Sequence, residues 1–306
     1  MFPVVVVVSL LFSGVDRKLH ARMQQRVGPP VIQPFYDMVK LIHKERIVPL
    51  TSSPSIFVSA TIMAAAMALL GASIALTNVF TGTSFMGDII LILYLLVITS
   101  ILVMIGGSSS GNPFGAVGFS RKMTLLIGYE VPLLISIILV STKTGFTFSY
   151  HTIISQQVQT GALLATTSPS MAISALIFML CIPASVGVVP FDLSEAKTEI
   201  AHGSLIEYGG LYLALLKLAK DITGFTMSFL GLTLFFYLPA VIQGHVALNP
   251  WSTVGACIAG SLVVTFFTIT LPRTVSARAK LGQALKFYMA IWALSLIAVA
   301  LTLVGL

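Results

Sequence analysis

The chain has 306 residues, 57% of them apolar and only 9% charged, with a mean hydropathy of +1.00 and a formal net charge of +7. That composition excludes a soluble domain and a disordered chain, and leaves a polytopic membrane protein. The positive balance lies mainly between apolar runs, so it reports topology and anionic lipid, with no nucleic acid implied.

A membrane helix needs about 20 apolar residues. The first run, 1–15, is shorter, covering roughly 22 Å of a hydrocarbon core about 30 Å thick. It lacks a basic n-region and an Ala-x-Ala site, so it reads as a first span and not as a signal peptide. Its shortness predicts a visibly short first helix, or a native start upstream of Met1. Further runs fall at about 55–77, 88–107, 123–142, 171–189, 205–238, 252–272 and 286–306. The predicted fold is therefore all-α: a polytopic membrane protein of eight transmembrane helices in a single membrane domain, 1–306.

The odd-numbered connections hold 14 of the 17 Lys and Arg residues, against Lys143 alone in the even ones. By the positive-inside rule the odd loops are cytoplasmic and both termini lie outside, in a cell membrane. In the first of these loops Phe35, Met38, Val39 and Ile42 recur at helical spacing, with Asp37, Lys40 and Lys44 on other faces. This predicts an amphipathic interfacial helix over 34–44. Gly28-Pro29-Pro30 separates it from a basic stretch, because paired prolines cannot continue a helix. Asp16 and Glu45 read as solvated. The connection 143–170, rich in Ser, Thr and Gln, reads as a loop.

Residues 190–207 concentrate the chemistry. Asp192, Glu195, Lys197, Glu199 and Glu207 crowd into one stretch of a chain poor in charge, beside a membrane helix. Acids so placed usually mark an ion path or a buried contact. Taken as one helix, the run 205–238 puts Glu207, Lys217, Lys220 and Asp221 on one side at about 100° per residue. A charge path within the protein is one reading. The other is a static Lys217–Asp221 pair at i,i+4, with Lys220 reaching for the surface. Glu130, about two turns into the fourth run, is either a proton site or the partner of a base on another helix. Cys181 and Cys257 each stand alone in an apolar run, and no His/Cys cluster has ligand spacing, so no cofactor or metal site is expected in this chain. Redox chemistry, if any, belongs to another subunit.

At these residues a family resemblance appears. Asp16-Arg17-Lys18 with Ala21-Arg22-Met23-Gln24-Gln25-Arg26-Val27-Gly28-Pro29 resembles the first loop of subunit 1 of respiratory NADH:quinone oxidoreductase, complex I. Tyr129-Glu130-Val131-Pro132 resembles that family's fourth-helix motif. Pro190-Phe191-Asp192, Glu195, Glu199, Gly203 and Glu207-Tyr208 resemble its fifth loop, and Leu271-Pro272-Arg273 the end of its seventh helix. Lys197 stands where the quinone-reducing branch has a third loop glutamate, and Lys220 where its sixth helix has one. In this the chain is more like the counterpart subunit of energy-converting membrane-bound hydrogenases and related ferredoxin-dependent complexes.

The resemblance implies a non-catalytic subunit of an ion-pumping oxidoreductase complex, linking electron transport to proton translocation. Its partners would be a hydrogenase-like large subunit, an iron–sulfur small subunit, and antiporter-like and small membrane subunits within the lipid bilayer. Iron–sulfur clusters, and a nickel–iron centre in a hydrogenase, would sit in those partners. Asp192, Glu195, Lys197, Glu199, Arg17, Arg22 and Arg26 would meet the redox module. Glu130, Glu207, Lys217, Lys220 and Asp221 would relay charge. The alternatives are a quinone-site subunit of an NADH or F420H2 dehydrogenase and a free-standing secondary transporter. The sequence shows no inverted repeat of the transporter kind.

Overall fold

The computed structural model describes residues 1–160, 162, 168–237 and 250–304. Among them every regular element is helical: α1 (Phe2–Met23), α2 (Gln33–Ile42), α3 (Pro54–Thr81), α4 (Asp88–Ser108), α5 (Pro113–Lys143), α6 (Tyr150–Thr160), α7 (Pro169–Val186), the short α8 (Lys197–Ile200) and α9 (Gly210–Phe235). Then follow α10 (Pro250–Thr265), a π-helical turn (Phe266–Thr270), α11 (Leu271–Val275) and α12 (Leu281–Leu303). The distal part of the connection 143–170, the end of the sixth run at 238 and the last two residues of the eighth lie outside the described residues.

Three helices start alike: a polar N-cap, Ser53, Asn112 or Ser168, precedes a proline at the first helical position. Such a proline has no N–H to leave unpaired and its φ is preset for the helix. Six helices are long and apolar enough to cross a membrane: α3, α4, α5, α7, the rod Trp251–Val275 and α12. The chain is a multi-pass membrane protein. α1 and α9, with 22 and 26 residues, are also long enough at roughly 33 and 39 Å. α9 sits at the centre, packed against α1, α2, α3, α7 and α10. Every residue from Ile222 to Phe235 is buried, as an all-round apolar helix requires.

Several boundaries differ from the sequence expectation. α1 is not short: it runs past Val15 through Asp16, Arg17 and Lys18 to Met23. Helical chain continues there because partners on other elements neutralise Asp16 and Arg17, as described below. α5 starts at Pro113, not near 123, so Arg121 and Lys122 are helical. Glu130 thus lies roughly 26 Å along α5, well beyond two turns. α9 starts at Gly210, not 205. Gly210 has φ 54° and sits against the Glu45 carbonyl, where a Cβ would collide. This break takes Glu207 off the helix that carries Lys217, Lys220 and Asp221.

Part of the Ser/Thr/Gln-rich connection folds as α6. Asp88, 0% exposed, accepts from the Tyr150 N–H at 2.7 Å and from Asn78 Nδ2 at 2.8 Å, capping the new helix. Gln157 Nε2 donates to the Thr233 and Leu234 carbonyls of α9 at 3.0 Å each.

Candidate functional site

The site forms at the bundle end where the connections after α1, α4, α7 and α11 meet. Its anchor is the C-terminus of α7. Gly187 ends that helix in the left-handed conformation, leaving carbonyls without intrahelical partners. Two lysines from different helices fill the vacancy. Lys122 of α5, 6% exposed, donates to the Ala184 carbonyl at 3.0 Å and the Ser185 carbonyl at 3.4 Å. Lys220 of α9 donates to the Gly187 carbonyl at 2.9 Å and to Glu195 Oε2 at 2.7 Å. Cations are favourable at this pole of a helix.

The loop 187–209 then crosses the bundle end, and three of its four acids meet a base from another element. Asp192 pairs with Arg278 at 3.1 Å and Glu195 with Lys220 at 2.7 Å, while Glu199 pairs with Arg121. Burial pushes the Asp192 carboxyl above the usual carboxylate range, against the pull of Arg278 and Lys220. Ser204 is seated against Gly107 of α4 and Gly118 of α5, where a Cβ on either glycine would strike it. Tyr208 stacks on Phe57 of α3 at 4.1 Å.

Beneath the loop lies a cavity of about 390 Å³. Its walls carry six Lys and Arg residues (Arg17, Lys122, Lys197, Lys217, Lys220, Arg273), His202 and four acids (Asp16, Asp192, Glu195, Asp221). Asp16 is not solvated, with a side chain 12% exposed. It accepts from Arg273 at 2.9 Å and from the Thr270 hydroxyl at 2.6 Å. Thr270 belongs to the π-helical turn, a distortion that often re-aims side chains at functional sites. Arg17 pairs with Asp37 of α2 at 2.7 Å. Asp221 lies near Ser13 and Arg17.

Lys217, Lys220 and Asp221 share this cavity, but among the described residues no ion pair joins Lys217 to Asp221. Glu130 lines a separate void of about 20 Å³ whose walls are mostly carbon; Ser100, Ser185 and Thr223 border both spaces. Glu207 borders neither. It accepts from Asn112 Nδ2 at 2.6 Å, and Asn112 also caps α5. Of the residues singled out for module contact, Lys197 is exposed at the bundle end, as are Arg22 and Arg26 on the α1 side. Lys122 was missed as a site residue because its place beside Arg121 reads as loop charge. The signal was Asn112-Pro113, a helix start that puts Lys122 inside α5.

Fold and site together define a helical membrane protein with a charged cavity lying under an ion-paired loop. The sequence model of the family described as NADH dehydrogenase matches residues 1–304. The chain belongs to that family, the one that includes subunit 1 of complex I. Relatives include hydrogenase-4 component C of Escherichia coli K12, 29% identical over 271 residues, covering 88% of this chain and 81% of the relative. An NADH-quinone oxidoreductase subunit of Thermomicrobium roseum is 31% identical over 279 residues, covering 84% and 81%. Among solved structures, a chain of the membrane-bound sulfane sulfur reductase, an archaeal respiratory membrane complex, superposes with a TM-score of 0.85. It is 26% identical, over 97% of this chain and 95% of that one.

Proposed function

We propose that the chain is the membrane-embedded coupling and anchor subunit of an ion-pumping redox complex of the membrane-bound hydrogenase type. Eight spans, counting α1 and α9, would cross the membrane with both termini outside and the loop 187–209 on the cytoplasmic side. That loop would dock the hydrogenase-like large subunit and the iron–sulfur small subunit. Antiporter-like subunits would receive the charge signal through the membrane. Clusters, and nickel in a hydrogenase, would reside in the peripheral partners.

One observation carries this reading: the Glu195–Lys220 pair, at 2.7 Å, belongs both to the surface loop and to the cavity wall. A partner that shifts the loop must therefore disturb the charge balance around Lys217 and Asp221. Glu130 lies behind the second void and Glu207 at the α5 cap, so the relay would run through Lys220, Lys217 and Asp221 first. The test is coupled transport by the whole complex in vesicles. Lys220→Met should keep electron transfer and lose ion uptake. Normal uptake by that variant would remove the loop-to-cavity link.

The quinone-site reading is favoured by the cavity size, which falls within the range of about 300–1,000 Å³ typical of small-molecule sites. Its walls, with ten charged side chains, suit water and ion pairs better than a mostly apolar ring. A quinone analogue that inhibits the purified complex competitively would decide for it.

A further inference from the structure

The sequence offers the loop acids together with Arg17, Arg22, Arg26 and Lys197 as the surface that meets a soluble partner, and of these the acids are already engaged. Asp192, Glu195 and Glu199 each hold a base of this same chain. Among the described residues the exposed acids are Glu45 and Glu199, and only Glu45 stands outside an ion pair. The exposed bases at the same end are mostly free: Arg22, Arg26, Lys197 and Lys280 belong to none of the ion pairs.

These bases sit on segments that touch one another in series. The Thr274 hydroxyl reaches Met23 Sδ at 3.7 Å, beside Arg22. The Ala279 N–H, beside Lys280, donates to the Pro190 carbonyl at 3.0 Å. Arg278 donates to Thr198 at 3.4 Å, beside Lys197. The series thus runs from α1 across the end of the bundle to the loop that Arg121 holds on α5. Lipid headgroups ring a bundle's perimeter, whereas this series crosses its end face.

We infer that this end face is a basic docking surface and that the peripheral subunit seated on it presents Asp and Glu side chains to Arg22, Arg26, Lys197 and Lys280. The inference rests on the anchor reading and specifies the partner's chemistry. Exposed pairs of this kind act mainly on association and are screened by salt. The acids of the loop serve a different end: they lock the loop in the shape that the partner meets.

The test uses the intact complex in mild detergent. Zero-length carbodiimide coupling is expected to join Lys197 and Lys280 to carboxylates of a soluble subunit. Arg22→Glu with Lys197→Glu is expected to retain about tenfold less soluble module at moderate salt, and Lys40→Glu with Lys44→Glu, on the α2 side, to retain all of it. Free acetylation of Lys197 and Lys280 without cross-links overturns the inference, as does full retention by the Arg22/Lys197 double reversal. Loss of bound anionic phospholipid with the module still in place overturns it in favour of lipid. A wild-type preparation with no soluble redox subunit at any salt removes the anchor reading itself. That result is distinguishable because it precedes any substitution.

Discussion

The two ends of the bundle handle buried carboxylates in opposite ways. At one end Asp88, fully buried, is held by neutral donors: the Asn78 amide and the Tyr150 backbone N–H. No cation pairs with it among the described residues, and its job is to cap α6 and seal the chain. At the other end Asp16, Asp192, Glu195 and Glu199 each face a Lys or Arg from a different element. Three of those four acids line a cavity with room to move. Neutral donors around a packed acid make a lock. Cations on separate helices around a cavity make a set of pairs that can exchange.

The contrast can be broken from either side. The largest effect is expected from Asp221→Asn, which keeps shape but removes the charge: ion uptake by vesicles should fall to background while electron transfer persists. Asp88→Ala is the counterpart, and should leave transport per folded complex unchanged. Its cost is stability, about 1–3 kcal/mol for each stranded buried donor, read as a lower unfolding temperature or faster proteolysis at 144–160. If Asp88→Ala instead abolishes transport in a fully folded complex, the lock and the exchangeable set are not separate. Glu195→Gln should come next. It removes the charge opposite Lys220 but can still accept a hydrogen bond, so partial uptake is expected, between Asp221→Asn and wild type.

The smallest effect concerns pH. Burial raises the Asp37 carboxyl, but hydrogen bonds from Arg17 and Gln33 outweigh it and hold the group below the usual carboxylate range. Its folded pKa is depressed, so the contact stabilises α2 above about pH 4 and is lost as pH falls through the folded value. Asp192 has the opposite sign. Its folded pKa is raised, mainly by burial, so folding takes up a proton there. Its contribution grows as pH falls through that raised value towards the ordinary one. Hydrogen exchange measured down an acid series should therefore loosen 33–42 relative to 187–209. Parallel loosening of both segments would contradict the assignment.

Much of the scaffold was legible because lipid-facing and core helices both leave long apolar runs, although the Asn112-Pro113 start of α5 went unread and its helix was placed near 123. α2 was legible from its period. α6 was not, although Tyr150, Ile153, Ile154 and Gln157 lie at helical spacing and all are buried. Its content of Ser, Thr and Gln disguised a helix that is fixed by hydrogen bonds as much as by apolar area. The site was legible as a set of residues but not as a geometry. Lys220 and Glu195 were both singled out, yet nothing in their spacing says that they touch. Asp16 and Lys122 read as surface charge because their partners, Arg273 and the α7 carbonyls, come from distant parts of the chain. Glu207 was placed on α9 because an apolar run conceals the break at Gly209-Gly210.

The Asp16–Arg273 pair also sets an order of events in synthesis. The two residues are 257 positions apart. At roughly 5–20 residues per second, the ribosome makes Arg273 some 13–50 seconds after Asp16. Through that interval Asp16 of α1 is without its final cation, and Asp88 of α4 is without its backbone donor until Tyr150 emerges. The first and fourth helices therefore pack provisionally. The bundle closes only when the second-to-last hydrophobic rod arrives, so a truncation before Arg273 should be recognised by the cell as unfinished chain.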